Sequence, residues 1–386
     1  MAFFAQYKWV ILFYSAIILL VFLNRKKFDM HGLIALYRTK IGLKTMDSWS
    51  KKYHEFLKLL GYIGIGAGYV GLIVISVVIF KNLITLFTVA DAAPAVSPVL
   101  PGIKVPGTEF TLPLISGWLA LFVVVLVHEF SHGVIARVHN LKVKSSGLFF
   151  LGPLMGAFVE PDEKQMQKQD DVVQYSVLAA GPFSNMLTAA VILLIASMVI
   201  PFVHGVMVNE QGFLLTGVTE DYPAAEAGLE AGMIITKVND AEIKNTEEFT
   251  SELNLIKGGE AVDITANETV YGVETIVNPN NNRTAYLGVL GSTNIVLKNP
   301  KLSWLYAGYE WLIGFFMLLV ALSLGIGLIN LFPIFITDGA RMLRVSLVKI
   351  KGEEKGFRLW KNTNIICVFV ILISLFFPLF KFLLGI

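Results

Sequence analysis

The chain has 386 residues, 55% of them hydrophobic and only 16% charged, with 28 Phe, one Cys and a mean hydropathy of +0.67. Soluble domains carry nearer a quarter charged residues. The apolar excess here falls in long uncharged blocks, which argues against a soluble enzyme and predicts a polytopic α-helical membrane protein. A net charge of +2 argues against a nucleic-acid partner, and Cys367 has no second cysteine with which to form an intrachain disulfide.

Six spans follow in chain order. The first, Trp9 to Leu23, is followed at once by Arg25-Lys26-Lys27. A secretory signal carries its basic residues before the apolar core, so this reads as an uncleaved span. The second, Leu59 to Phe80, has no charge, and the third, about Leu112 to Ala136, ends on the motif HEFSH. The fourth lies within Val172 to Val203, the fifth runs from Leu302 to about Leu328, and the last from Asn362 to Phe380. Segments 24–58, 137–170 and 341–361 hold 9, 5 and 7 of the 31 Lys and Arg residues. The bias of basic residues toward the cytoplasm puts these three inside and both termini outside, and few Cys with compact loops suit a prokaryotic plasma membrane. His128, nine residues before Arg137, then lies about 14 Å from the cytoplasmic end of its helix.

Residues 205–301 are of a different kind, with short alternating strands, Gly-rich turns and a helical stretch near Thr246 to Ile256. The unit PAAEAGLEAGMIITKVND, with GFLL before it, resembles a PDZ domain over roughly Gly212 to Gly291. The resemblance implies an α+β extracytoplasmic domain that takes an extended peptide, often a free C-terminus, with Gly212, Phe213, Leu214 and Leu215 as its peptide loop.

Within the third span, His128 and His132 stand at i and i+4, so both imidazoles project from one helix face. That spacing suits zinc, with Glu129 as general base. A catalytic zinc usually takes three protein ligands. His139 and Glu160 are candidates for the third, but the first falls beyond Arg137 and the second at the head of the polar cytoplasmic stretch PDEKQMQKQD. Asp338 is the strongest: it follows an uncharged run from Trp311 to Thr337, and an acid placed there needs a partner. Pro333 and Gly339 predict a broken helix lining a polar cavity, with Asn330 and the freed backbone free to hold substrate.

HEFSHG on one membrane helix, with NLFPIFITDG later, resembles the site-2 protease family of intramembrane zinc metalloproteases. The resemblance covers about Leu112 to Arg341. It implies one Zn2+ per chain held by His128, His132 and Asp338, with Glu129 activating water to cut peptide bonds in or near the transmembrane segments of membrane-protein substrates. The family's GPxxN element appears as GPFSN, Gly181 to Asn185. Asn185 supports the active site, by bonding a substrate carbonyl or oxyanion, or else serves interhelical packing with a small-residue contact at Gly181. The family also implies a re-entrant β-loop at Gly147 to Glu160, where Gly147, Gly152 and Gly156 lie and whose edge can pair with extended substrate.

The expected organisation is therefore 1–111 as a two-helix membrane region, 112–204 and 302–350 as the halves of the protease core, 205–301 as the PDZ-like domain, and 351–386 as a last helix. Two rival readings use the same residues: a metal transporter with a His/His/Asp transit site, and a silent membrane scaffold acting through its PDZ-like domain.

Overall fold

Uncharged runs of this length fold as helices, because only a helix satisfies its own backbone away from water. The computed structural model describes residues 2–32, 34–89, 92–105, 110–152, 154–279 and 281–384. The chain forms two units, Met1–Leu194 with Leu312–Ile386, and Ile195–Trp311. The first carries helices α1 (Ala2–Leu23), α2 (Leu43–Lys52), α3 (His54–Thr88), α4 (Leu114–Val138) and the short α5 (Glu163–Met166), and α6 (Asp171–Met207) begins in it. It also carries strands β1 (Asp29–His31), β2 (Ile34–Thr39), β3 (Val143–Leu151) and β4 (Leu154–Pro161).

The strands form one antiparallel sheet in the order β1-β2-β3-β4, so β4 is an edge. The expected β-loop is thus a hairpin within a four-stranded sheet. Half of that sheet comes from residues 29–39, which the charge pattern had marked only as a basic connection.

The second unit holds β5 (Val208–Val218), α7 (Pro223–Glu226), β6 (Ile234–Val238), β7 (Ala241–Glu242), α8 (Thr246–Leu255), β8 (Ala261–Ala266), β9 (Thr269–Glu274), β10 (Ile276–Asn278), β11 (Asn281–Tyr286) and β12 (Val289–Leu297). Its main sheet runs β12-β5-β6-β8-β9, with β7 on β6, over a core that includes Phe213, Leu215, Ile235, Ile264 and Phe249. The chain returns through α9 (Ser303–Ile329), α10 (Asp338–Lys351) and α11 (Glu353–Leu384).

Among the described residues, five helices are long and apolar enough to cross a membrane: α3, α4, α6, α9 with the turn before it, and α11. The apolar stretch of α1, Tyr7–Leu23, is shorter. Close packing of α3 comes from four buried glycines, Gly61, Gly64, Gly68 and Gly71, spaced three, four and three apart and so on one face. They abut Ser176, Phe183 and Ala179 of α6, and Met342 and Leu331 around α10. Such small-residue stripes let membrane helices approach where no hydrophobic effect drives them together.

Candidate active site

The cluster is assembled from three elements. α4 buries His128 and His132 on one face. α9 ends at Ile329, and residues 330–337 run without helix to α10, whose first residue is Asp338. Pro333 lies in this break, and Thr337 caps α10 by accepting from the Ala340 amide at 3.3 Å. The Thr337 hydroxyl also donates to the Phe332 carbonyl at 2.7 Å, tying the break to the cap. Leu331 and Phe332 anchor the segment, each fully buried in a different apolar cluster. Gly339 is obligatory: a Cβ would strike the Leu331 backbone, whereas glycine lets its N–H reach the Asn330 carbonyl at 2.8 Å. Asp338 therefore stands in a helix first turn, where the dipole favours negative charge.

Asp338 Oδ2 lies 3.1 Å from His128 Nε2 and 3.3 Å from His132 Nε2. The three ligand atoms all fall within 4.8 Å of one another, the one such group among the described residues. Second contacts orient both rings. His132 Nδ1 lies 2.7 Å from the Val177 carbonyl, which can only accept, so Nδ1 carries the proton and Nε2 keeps its lone pair.

The Asn185 amide lies 3.2 Å from His128 Nδ1. Its two ends are told apart only by the bonds they make. With nitrogen toward the ring, Oδ1 is buried without a partner; with oxygen toward it, Nδ1–H donates and Nε2 is again free for a cation. Gly181, one turn before Asn185 on α6, leaves open the space beside both Nε2 atoms that a Cβ would fill. Two imidazoles, one carboxylate and a cradle kept clear beside them fit a zinc ion.

Glu129 is half-buried beside this group, and its Oε2 accepts from the Val159 N–H of β4 at 3.0 Å. A cavity of about 340 Å3 opens there, lined by Glu129, both histidines, Asp338, Asn330, and Ala157 and Val159 of β4. Asn330 lines it while its amide donates to the Ile326 carbonyl.

Other expected residues fall elsewhere. His139 lies at the end of α4, 3.3 Å from the Ser176 hydroxyl, and burial with nearby Lys58 holds its pKa below the usual imidazole value. Glu160 accepts from Ser145 and pairs with Arg38. Pro333 is buried and shapes the break without lining the cavity. Gly152 takes the β3–β4 turn at φ +56°, Gly147 passes close under the Tyr37 carbonyl, and Gly156 lies under the Phe149 ring. Sheet crowding accounts for the last two.

The expected peptide loop is corrected outright. Gly212 to Leu215 lie on β5, which pairs with β6 on one side and β12 on the other, and the Phe213 and Leu215 side chains are core. No edge is left there for a peptide. Local alternation could not reveal this, because β12 arrives some 80 residues later.

Residues 116–375 match the sequence profile of Peptidase family M50. The chain belongs to peptidase family M50, the site-2 proteases. It is similar to the uncharacterized protein MJ0971 of Methanocaldococcus jannaschii, at 28% identity over 78% of each chain. It is also similar to the zinc metalloprotease RasP of Oceanobacillus iheyensis, at 27% identity over 50% of this chain and 56% of that one. Among solved structures, it is similar to the PDZ domain of an SdrC-like protein from Listeria innocua, at 27% identity over 21% of this chain and 93% of that one, with a TM-score of 0.19. For an M50 chain the implied metal is zinc, and His128, His132 and Asp338 form the group that can hold it.

Proposed function

We propose that the protein is an intramembrane zinc metalloendopeptidase that cuts within or near the transmembrane segments of other membrane proteins. The observation that carries this reading is the meeting of His128, His132 and Asp338 from opposite halves of the chain, with Glu129 beside them on one cavity. Zinc bound by these three supplies Lewis acidity to a carbonyl and makes water more acidic. Glu129 takes the proton from the attacking water and returns it to the leaving amine. The Val159 N–H holds its carboxylate in place for both transfers. The open edge of β4 presents backbone groups to a substrate segment that has unwound, as a helix must before its amides can be attacked. A transit site would give Glu129 no task, which favours hydrolysis over transport.

The basic segments 24–58, 137–170 and 341–361 are assigned to the cytoplasm, and the PDZ-like unit and both termini to the other side. Peptide pairing in that unit is assigned to β12, an edge of the main sheet, beside the start of α8, where the Thr246 N–H donates to Thr293 Oγ1 at 3.1 Å.

The test is purified protein in detergent with a model membrane substrate, wild type against Glu129→Gln. Zinc-dependent cleavage lost in the variant is expected. Zinc binding with no cleavage by either would favour transport, and a preparation that binds no metal would favour a scaffold.

A further inference from the structure

Glu129 faces two cavities. One is the metal-ligand cavity; the other, of about 270 Å3, lies under the sheet and is walled by Phe122, Leu126 and Phe130 of α4, Met46 of α2, and the sheet itself. Glu129, Ala157 and Val159 line both, and among the described residues Glu129 is the one carboxylate or cation in the lining of the second.

The sheet register explains this arrangement. Tyr37, Leu148 and Ala157 stand opposite one another across β2, β3 and β4, and so do Thr39, Ser146 and Val159. Side chains alternate faces along a strand, so these two rows share a face, and all six residues line the second cavity. The Val159 amide donates to Glu129, which turns it away from β3 and makes Val159–Ser146 a non-hydrogen-bonded pair. By the two-residue period Ala157–Leu148 is another, and the Ala157 N–H and C=O point to the open edge of β4. A substrate strand pairing at Ala157 continues the row Tyr37–Leu148–Ala157. Ala157, with no more than a methyl side chain, lies with Glu129 and Val159 between that position and the second cavity.

The geometry points to this cavity as the binding pocket for one large apolar side chain of the substrate, on a residue flanking the bond to be cut. The inference rests on the protease reading above. Its ligand class follows from the largely apolar lining, which fits leucine, isoleucine or phenylalanine, whereas an acidic side chain would be buried beside the Glu129 carboxylate. Transmembrane segments are rich in these residues, so the pocket selects the cut position along a segment more than it selects the segment.

The test uses the full zinc-loaded chain and a membrane substrate with a single cut, whose two flanking residues are varied in turn among Ala, Leu, Phe and Asp. At one flank, kcat/KM for Leu is expected to exceed that for Ala by about 10-fold or more, the usual range for an apolar pocket. Leu126→Trp and Leu148→Trp, each of which puts a larger side chain into the lining, are expected to bring that ratio near one while the Ala substrate is still cut. Ala157→Val, which narrows the passage, moves it the same way. Leu126 is 44% exposed, so its variant decides the matter if Leu148→Trp fails to fold. A wild-type ratio near one at both flanks, or a ratio untouched by Leu126→Trp, overturns the pocket. A bound lipid seen by native mass spectrometry, lost in Leu126→Trp with the ratio unchanged, also overturns it and gives the cavity to an acyl chain. Absence of any Glu129-dependent cleavage sinks the protease reading itself, which a Glu129-dependent cut with a flat ratio does not.

Discussion

Gly181 has no side chain, yet the space it leaves open is where a cation would meet both histidines. A methyl group there would press on His128 Nε2 and His132 Nε2 together. Gly181→Ala is therefore expected to cost zinc outright, dropping bound metal from one per chain to near zero by elemental analysis. The fold would lose only the ~1–3 kcal/mol of an overpacked contact, visible as a small fall in the thermal midpoint. Full zinc occupancy in a folded Gly181→Ala protein would mean the metal lies elsewhere. Asn185 acts one step further out, through the His128 ring. Asn185→Ala should weaken zinc binding about 10–100-fold, the usual cost of losing such an orienting contact, measured by competition with a chelator. Of these residues, the sequence makes His128, Glu129, His132 and Asp338 legible, because each is costly in an apolar run without a partner. Gly181 and the Val177 carbonyl are not legible that way, since a glycine and a backbone carbonyl carry no such cost.

At the scale of elements, the interruption between α9 and α10 delivers Asp338, and Thr337 holds it in shape. Its hydroxyl both caps α10 and donates to the Phe332 carbonyl. Thr337→Ala should destabilise the protein by about 1 kcal/mol, the typical cost of a lost N-cap, and lower the proposed cleavage beyond what that destabilisation accounts for, because Asp338 loses its fixed position. Thr337→Ser should restore both, and an alanine variant with wild-type activity would show that Leu331 and Phe332 anchor the segment alone. The break itself could be read from Pro333 and Gly339. The strands at 29–39 could not, because β2 pairs with β3 more than 100 residues later and a strand is made by its partners as much as by its own residues. The glycine stripe of α3 was readable in principle from its spacing. Gly68→Leu is expected to lower the thermal midpoint, since Met342 and Ala179 already crowd that face.

For the whole molecule, the remaining question is which way the chain faces, and the proposed orientation rests on the weight of its basic residues. Each Lys or Arg close to an anionic leaflet contributes about 1 kcal/mol, so the 21 of 31 basic residues in segments 24–58, 137–170 and 341–361 outweigh any single misplaced loop. The prediction can be read with cysteines, because Cys367 is buried and is the single native one. In a Cys367→Ser background, Glu268→Cys is expected to react with an impermeant maleimide on intact cells, whereas Lys51→Cys, Lys168→Cys and Lys355→Cys should react only after permeabilisation. Labelling of Lys168→Cys from outside would reverse the assignment, because residue 168 follows the β3–β4 hairpin that Glu129 touches through Val159. The orientation then bears on chemistry. With residue 168 inside, His128 lies about 14 Å from the cytoplasmic end of α4 by helix rise, so hydrolytic water has the shorter path from the cytoplasm. On the proposed orientation the PDZ-like unit is assigned to the opposite side, where its proposed role is to screen substrates. Deleting residues 205–301 should then admit full-length substrates that the intact protein refuses, and unchanged selectivity would remove that unit from substrate choice.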